Sequence, residues 1–121
     1  MSQISLMSKY LYTILGFNDR PGFGITSNID TRARQYASHQ GRVAVMPKVW
    51  KGPASHINAL EKVLKRDKEN LLLIESDSGV WETEWMGDDW TIEILIETIE
   101  NLITERFSMI EVAYKHFNFT D

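Results

Sequence analysis

From Lys9 to Phe17 the chain is apolar and β-prone, with Tyr10, Tyr12 and Ile14 on one face and Leu11, Thr13 and Leu15 on the other. A period of two rich in aromatic and β-branched residues predicts a strand. Asn18-Asp19-Arg20-Pro21-Gly22 is a turn signal, and Phe23 to Ile25 returns as the second strand of a hairpin. The period then changes to a helical one. Thr26-Ser27-Asn28 offers capping groups, Asp30 sits in the first turn, and Ile29, Ala33, Tyr36 and Ala37 share one face of a helix from about Ile29 to His39. Arg42 to Trp50 reads as a third strand. Pro47 cannot donate to a ladder, so this strand is expected to lie at an edge or to be bulged. A second helix starts at Pro53 or Ser55 and runs to about Lys68, burying Ile57, Leu60, Val63 and Leu64. Leu71 to Glu75 fits either a short strand or more of that helix, and Asp77-Ser78-Gly79 fits a turn. Trp81, Trp85 and Trp90 are expected to cap the core, with one of them a secondary candidate for base stacking. Ile92, Leu95, Ile96, Ile99, Leu102, Ile103 and Ile110 recur at helical spacing, with Glu93, Glu97, Glu100 and Glu105 opposite. They predict a long acidic amphipathic helix as a C-terminal extension over about residues 91–116.

These elements imply one α+β domain over residues 1–121, with a core of about 9–86: a small antiparallel or mixed three-stranded sheet flanked by helices. A length of 121 residues suits one core. No apolar run approaches the roughly 18–20 residues of a membrane-spanning helix, and Met1 to Ser8 lacks the features of a secretory signal. Cysteine is absent, which removes disulfides and thiolate metal sites and is compatible with a cytoplasmic location. Net charge is −4, but the distribution is uneven. Residues 1–68 hold eleven Lys and Arg against four Asp and Glu, and residues 69–121 hold two against thirteen. A basic surface attracts polyanions. The acidic helix offers a surface for a protein partner or for self-association.

Tyr12, Arg32, Tyr36 and Glu61 are the residues with chemistry to offer. Cleaving a phosphodiester needs positive charge on the phosphate, a base for the attacking water and an acid for the leaving oxygen. An arginine such as Arg32 can hold phosphate oxygens in two places at once. A carboxylate such as Glu61 can hold Mg²⁺, which commonly takes only one or two protein ligands. A phenol beside a cation can carry a proton. Arg32 and Tyr36, four apart, share a helix face. Taken singly, each has an ordinary role: packing for the tyrosines, solvation or ion pairing for Arg32 and Glu61. Order and spacing set them apart. Arg34, His39, Lys48 and Lys51 are further candidates for contacting nucleic acid. His39, His56 and His116 lack metal-ligand spacing.

Tyr10-Leu11-Tyr12, Gly22-Phe23-Gly24-Ile25-Thr26-Ser27-Asn28, Arg32, Tyr36, Ala59-Leu60-Glu61-Lys62-Val63-Leu64-Lys65 and Thr83-Glu84-Trp85 together resemble the GIY-YIG nuclease superfamily over roughly residues 9–86. The likeness is to its homing-endonuclease-like and phage-type members, with a divergent second motif. It implies Mg²⁺-dependent endonucleolytic cleavage of DNA, with Tyr12, Arg32 and Tyr36 at the reacting phosphate and Glu61 on the metal. It also implies a cytoplasmic protein, acting in the host cytoplasm if phage-encoded. Three departures stand out. Gly22 replaces the tyrosine of the second motif, and Ile25 replaces a common lysine. A late asparagine of many members has no secure counterpart, with Asn70 a candidate for it. Either another phenol or imidazole (Tyr10, Tyr12, Tyr36 or His39), a water or a second protein replaces the lost tyrosine, or the domain binds DNA or RNA, or modulates a partner nuclease, without cutting. Gly22 also has a backbone rationale, as a flexible turn position.

Overall fold

The computed structural model describes residues 7–16, 19–40, 43–66, 73–77, 83–87 and 89–119. The two expected strands form the hairpin at its centre, β1 (Ser8–Leu15) and β2 (Pro21–Thr26), in antiparallel register from Tyr10 opposite Thr26 to Leu15 opposite Pro21. The Gly16 N–H donates to the Arg20 carbonyl at 2.8 Å, and Asp19 takes the left-handed conformation, φ 58°. A short polar side chain tolerates that region. Gly22 is therefore not the turn's flexible position. It is buried within β2, opposite Ile14.

Helix α1 (Ile29–Gln40) begins where Asn28 Oδ1 accepts the Thr31 N–H at 3.0 Å, with Asp30 in the first turn. The expected third strand is two, β3 (Ala44–Met46) and β4 (Val49–Pro53), both antiparallel to β1. Leu15 faces Val45 while Tyr12 faces Val49, so one extra residue is inserted at Pro47-Lys48, a bulge. Buried Thr13 closes the gap. Its hydroxyl donates to the Lys48 carbonyl at 2.8 Å and accepts the Lys48 N–H at 3.0 Å, and its own N–H reaches the same carbonyl at 3.0 Å.

Next come α2 (Ala54–Arg66), β5 (Leu73–Asp77), β6 (Thr83–Met86), α3 (Ile92–Arg106), β7 (Glu111–Tyr114) and β8 (Phe117–Phe119). The expected three-stranded sheet is larger. Among the described residues it has eight strand segments, in the order β5-β6-β2-β1, then β3 and β4, then β8 and β7. All the pairings are antiparallel. Asp77 belongs to β5 rather than to a turn, and Asn70 and Trp81 lie outside the described residues.

The expected long C-terminal helix ends at Arg106, where the Phe107 N–H bonds the Ile103 carbonyl at 2.9 Å. The chain turns back, Ile110 enters the core, and β7 and β8 pair with β4 and β3. Pairing with open ladders outweighs helical periodicity here, and β-branched and aromatic residues favour it.

Two cores lie on opposite faces of the sheet. On one, α2 and α3 place Ile57, Leu60, Leu64, Leu95 and Ile99 against Leu11, Phe23 and Trp50. On the other, α1 places Ile29, Ala33, Tyr36 and Ala37 against Tyr12, Ile14, Met46 and Val49. The tryptophans do not form one cap: Trp85 packs with the second core and Trp90 with the first.

Gly52 tests the docking of the C-terminal strands. A Cβ there would stand 2.8 Å from Ile110 Cγ1 and 3.2 Å from its Cα. Gly52→Ala should cost about 1–3 kcal/mol in urea unfolding; an unchanged midpoint would contradict the packing of Ile110 on β4.

Candidate functional site

Strand alternation turns Tyr10, Tyr12 and Ile14 toward α1, together with their partners Thr26, Gly24 and Gly22 on β2. Tyr12 does not stand upright on the sheet. It lies across its cross-strand partner, so that a Cβ built on Gly24 would fall 2.7 Å from Tyr12 Cζ and closer still to the hydroxyl. Only glycine leaves room for the ring in that position. The sequence pattern marked Gly24 as a motif residue, but its function as the floor beneath Tyr12 required the register and ring position to be seen.

Helix α1 supplies the other members. Arg32 Nη1 donates to the Tyr12 hydroxyl at 2.9 Å, and its guanidinium lies 5.7 Å from the Tyr12 ring centroid. The Tyr36 hydroxyl is 3.1 Å from that of Tyr12, with the rings edge to face at 6.0 Å. Both tyrosines are fully buried or nearly so, and Arg32 is half-buried. The i, i+4 spacing of Arg32 and Tyr36 lets one helix deliver a cation and a phenol to a single oxygen. Since arginine only donates, the Tyr12 oxygen must accept from it. The phenolic hydrogen is then available for the bond between the two tyrosines.

The remaining candidates divide by face. Glu61 lies at the flank of the buried stripe of α2, the helix on the Leu11 face, with its side chain 13% exposed and Oε2 3.8 Å from Lys65 Nζ. Its position beside Ile57 and Leu64 accounts for this burial. Lys48 donates to Glu100 of α3 at 2.6 Å. Lys48 and Glu100 thus form a partly exposed ion pair that ties the Pro47 bulge to α3. Lys51 is exposed opposite Tyr10, with Nζ 5.5 Å from the Tyr10 ring centroid, and Arg34 is exposed on α1. His39 belongs to α1, but its side chain lies outside the described residues.

Gly22 faces Trp85 of β6 across the ladder. The Trp85 indole extends to Gly16, where a built Cβ would fall 2.6 Å from its Cζ3, and the Arg20 guanidinium stands 5.8 Å from the indole centroid. The hairpin face thus carries two large aromatics on glycines, Tyr12 over Gly24 and Trp85 over Gly16. A carboxylate is a suitable donor for a hard cation such as Mg²⁺, which completes its shell with water and substrate oxygens. Among the described residues no group of three or more His, Cys, Asp and Glu is placed to hold a metal, so Glu61 stands as a single-carboxylate candidate.

Comparison with protein-family models, with curated proteins and with solved structures finds no match to this chain. Among the described residues, no helix is long and apolar enough to cross a membrane.

The close approach of Tyr12 to Gly24 is testable by a double-mutant cycle. Gly24→Ala should destabilise by about 1–3 kcal/mol. The same change in a Tyr12→Ala background should cost less, a coupling of about 0.5–3 kcal/mol between contacting residues. Additive costs in chemical denaturation would contradict the geometry.

Proposed function

We propose that the protein is a Mg²⁺-dependent endonuclease that cleaves DNA phosphodiester bonds. The observation that carries this reading is the Arg32–Tyr12–Tyr36 cluster, with a half-buried guanidinium fixed at 2.9 Å from one phenol and a second phenol at 3.1 Å. A cation held in advance by hydrogen bonds loses little freedom when it meets a developing negative charge. Arg32 presents its N–H donors in a planar fork, the geometry that matches phosphate oxygens. Tyr12 and Tyr36 form a short relay able to position water or move a proton at the phenolic oxygens.

The resemblance assigns the divalent ion to Glu61, but α2 lies on the face of the sheet opposite the Arg32 cluster, so an ion held there would not sit on the phosphate bound by Arg32. Lys65, 3.8 Å from Glu61, would have to yield to such an ion. DNA would approach on the α1 face, where exposed Arg34 and Lys51 add positive charge. Lys48 would have to leave its ion pair with Glu100 to join them. Docking of a protein partner on the acidic helix is retained as a proposal for the outward side of α3, where Glu93 and Glu97 are exposed.

A second reading has its own support. Gly22 brings no side chain, and the residue paired with it is Trp85, which has no ionisable group. A domain of this kind would hold DNA or RNA, or modulate a partner nuclease, without cutting.

Plasmid nicking separates the two. With Mg²⁺ the wild type should nick supercoiled DNA. Arg32→Ala should lower the rate at least about a hundredfold, the scale for losing a charge-stabilising group, while Glu61→Gln, across the sheet from Arg32, should retain both DNA binding and nicking. Salt-sensitive binding without nicking by the wild type would support the second reading. Unchanged affinity after Arg32, Arg34 and Lys51 are neutralised together would overturn both.

A further inference from the structure

We propose that the Trp85 indole, seated on Gly16 and flanked by Arg20, is a stacking subsite for an unpaired nucleobase of a strand whose phosphate is held by Arg32 on the same sheet face. The proposal rests on the nucleic-acid reading above and narrows its substrate to strands with an unstacked base: single strands, branches or flipped nucleotides.

Four observations converge on it. The indole is half-buried, packed on the core that contains Tyr12, and retains an exposed part. Gly16 beneath it lets the ring lie close on the sheet, leaving it backed and rigid. Arg20, in the strand-pairing position opposite Gly16, sets a cation 5.8 Å from the ring centroid. Helix α1 packs over β3 and β8, on the other side of β1 from β2 and β6, where Trp85 lies.

Spacing completes the case. Trp85 pairs with Gly22, but its indole reaches to Gly16, opposite Arg20, while Tyr12 lies over Gly24. Arg20 and Gly24 are four residues apart, roughly 14 Å at about 3.4 Å per residue. Stacking ring and phosphate-binding cluster thus share one sheet face at a separation that a short strand, rather than a single nucleotide, would span. Aromatic faces accept any base, and arginine beside them binds the adjoining backbone. Subsite and cluster together would select strand structure rather than sequence. Trp50 and Trp90 do not offer this arrangement, because both belong to the core on the opposite face.

The test is fluorescence-polarisation titration without Mg²⁺, using a labelled single-stranded oligonucleotide, the same strand with abasic sites, and a blunt duplex. Wild type should prefer the intact single strand to the abasic one by about tenfold, the scale of one stacked base. Trp85→Leu keeps apolar volume without a π face. It should abolish that preference and leave duplex affinity unchanged, while Trp85→Phe should retain most of it. Thermal unfolding checks that the variants are folded, and the wild-type abasic comparison stands without them. Equal wild-type affinity for intact and abasic strands, or a Trp85→Leu protein that keeps the preference, would overturn the subsite while leaving the Arg32 cluster intact. Loss of all oligonucleotide binding in the wild type would overturn the nucleic-acid reading and the subsite with it.

Discussion

The Tyr12 ring lying across Gly24 is the contact on which the candidate site depends. A side chain on residue 24 would push the phenol away from the sheet and toward α1. With glycine there, the hydroxyl sits where Arg32 donates at 2.9 Å and Tyr36 meets it at 3.1 Å. Strand pairing sets this relation through the register that puts Tyr12 opposite Gly24. A slip of one residue would send Tyr12 to the Leu11 face and dismantle the cluster. The hairpin's register therefore sets the geometry of the cluster as well as that of the sheet.

That register is held from the other side of β1. Pro47 interrupts the ladder next to it, and the Thr13 side chain supplies the bonds that an uninterrupted strand would have provided. Burying Thr13 is tolerable because its hydroxyl both donates and accepts. Immediately beyond the bulge, Lys48 is tied to Glu100 of α3, so the acidic helix is fastened to the same break in the strand. On the α1 side of the sheet stand Arg32 at the cluster and the exposed Arg34 and Lys51.

Much of the central architecture was legible because its signals are local. Alternation defined β1 and its two faces, Asn28 with Asp30 marked the start of α1, and Pro47 pointed to an edge strand or a bulge, of which the structure has the bulge. The i, i+4 pair of Arg32 and Tyr36 was readable for the same reason. The C-terminal strands were not, because Ile110 continues the helical spacing of α3 while its partner, Gly52, is far away in sequence. Their β-prone residues Val112, Tyr114, Phe117 and Phe119 carried a signal that the helical period masked. Trp85 was visible as an aromatic but not as the neighbour of Gly22 and Gly16, since only sheet order brings β6 beside β2. Lys48 looked like a surface cation until its distant partner on α3 was placed. Glu61 was chosen from motif order, and motif order carries no information about which face its helix covers.

The central claim is that Arg32, held by Tyr12, is a phosphate-binding cation. The most direct measurement is the Arg32 Nε–Hε resonance in ¹⁵N-labelled protein, assigned through Arg32→Lys, during titration with a short phosphorothioate oligonucleotide. The account predicts a saturable shift of that resonance at the concentration where the oligonucleotide binds. Saturation of other resonances with the Arg32 signal unmoved would contradict it.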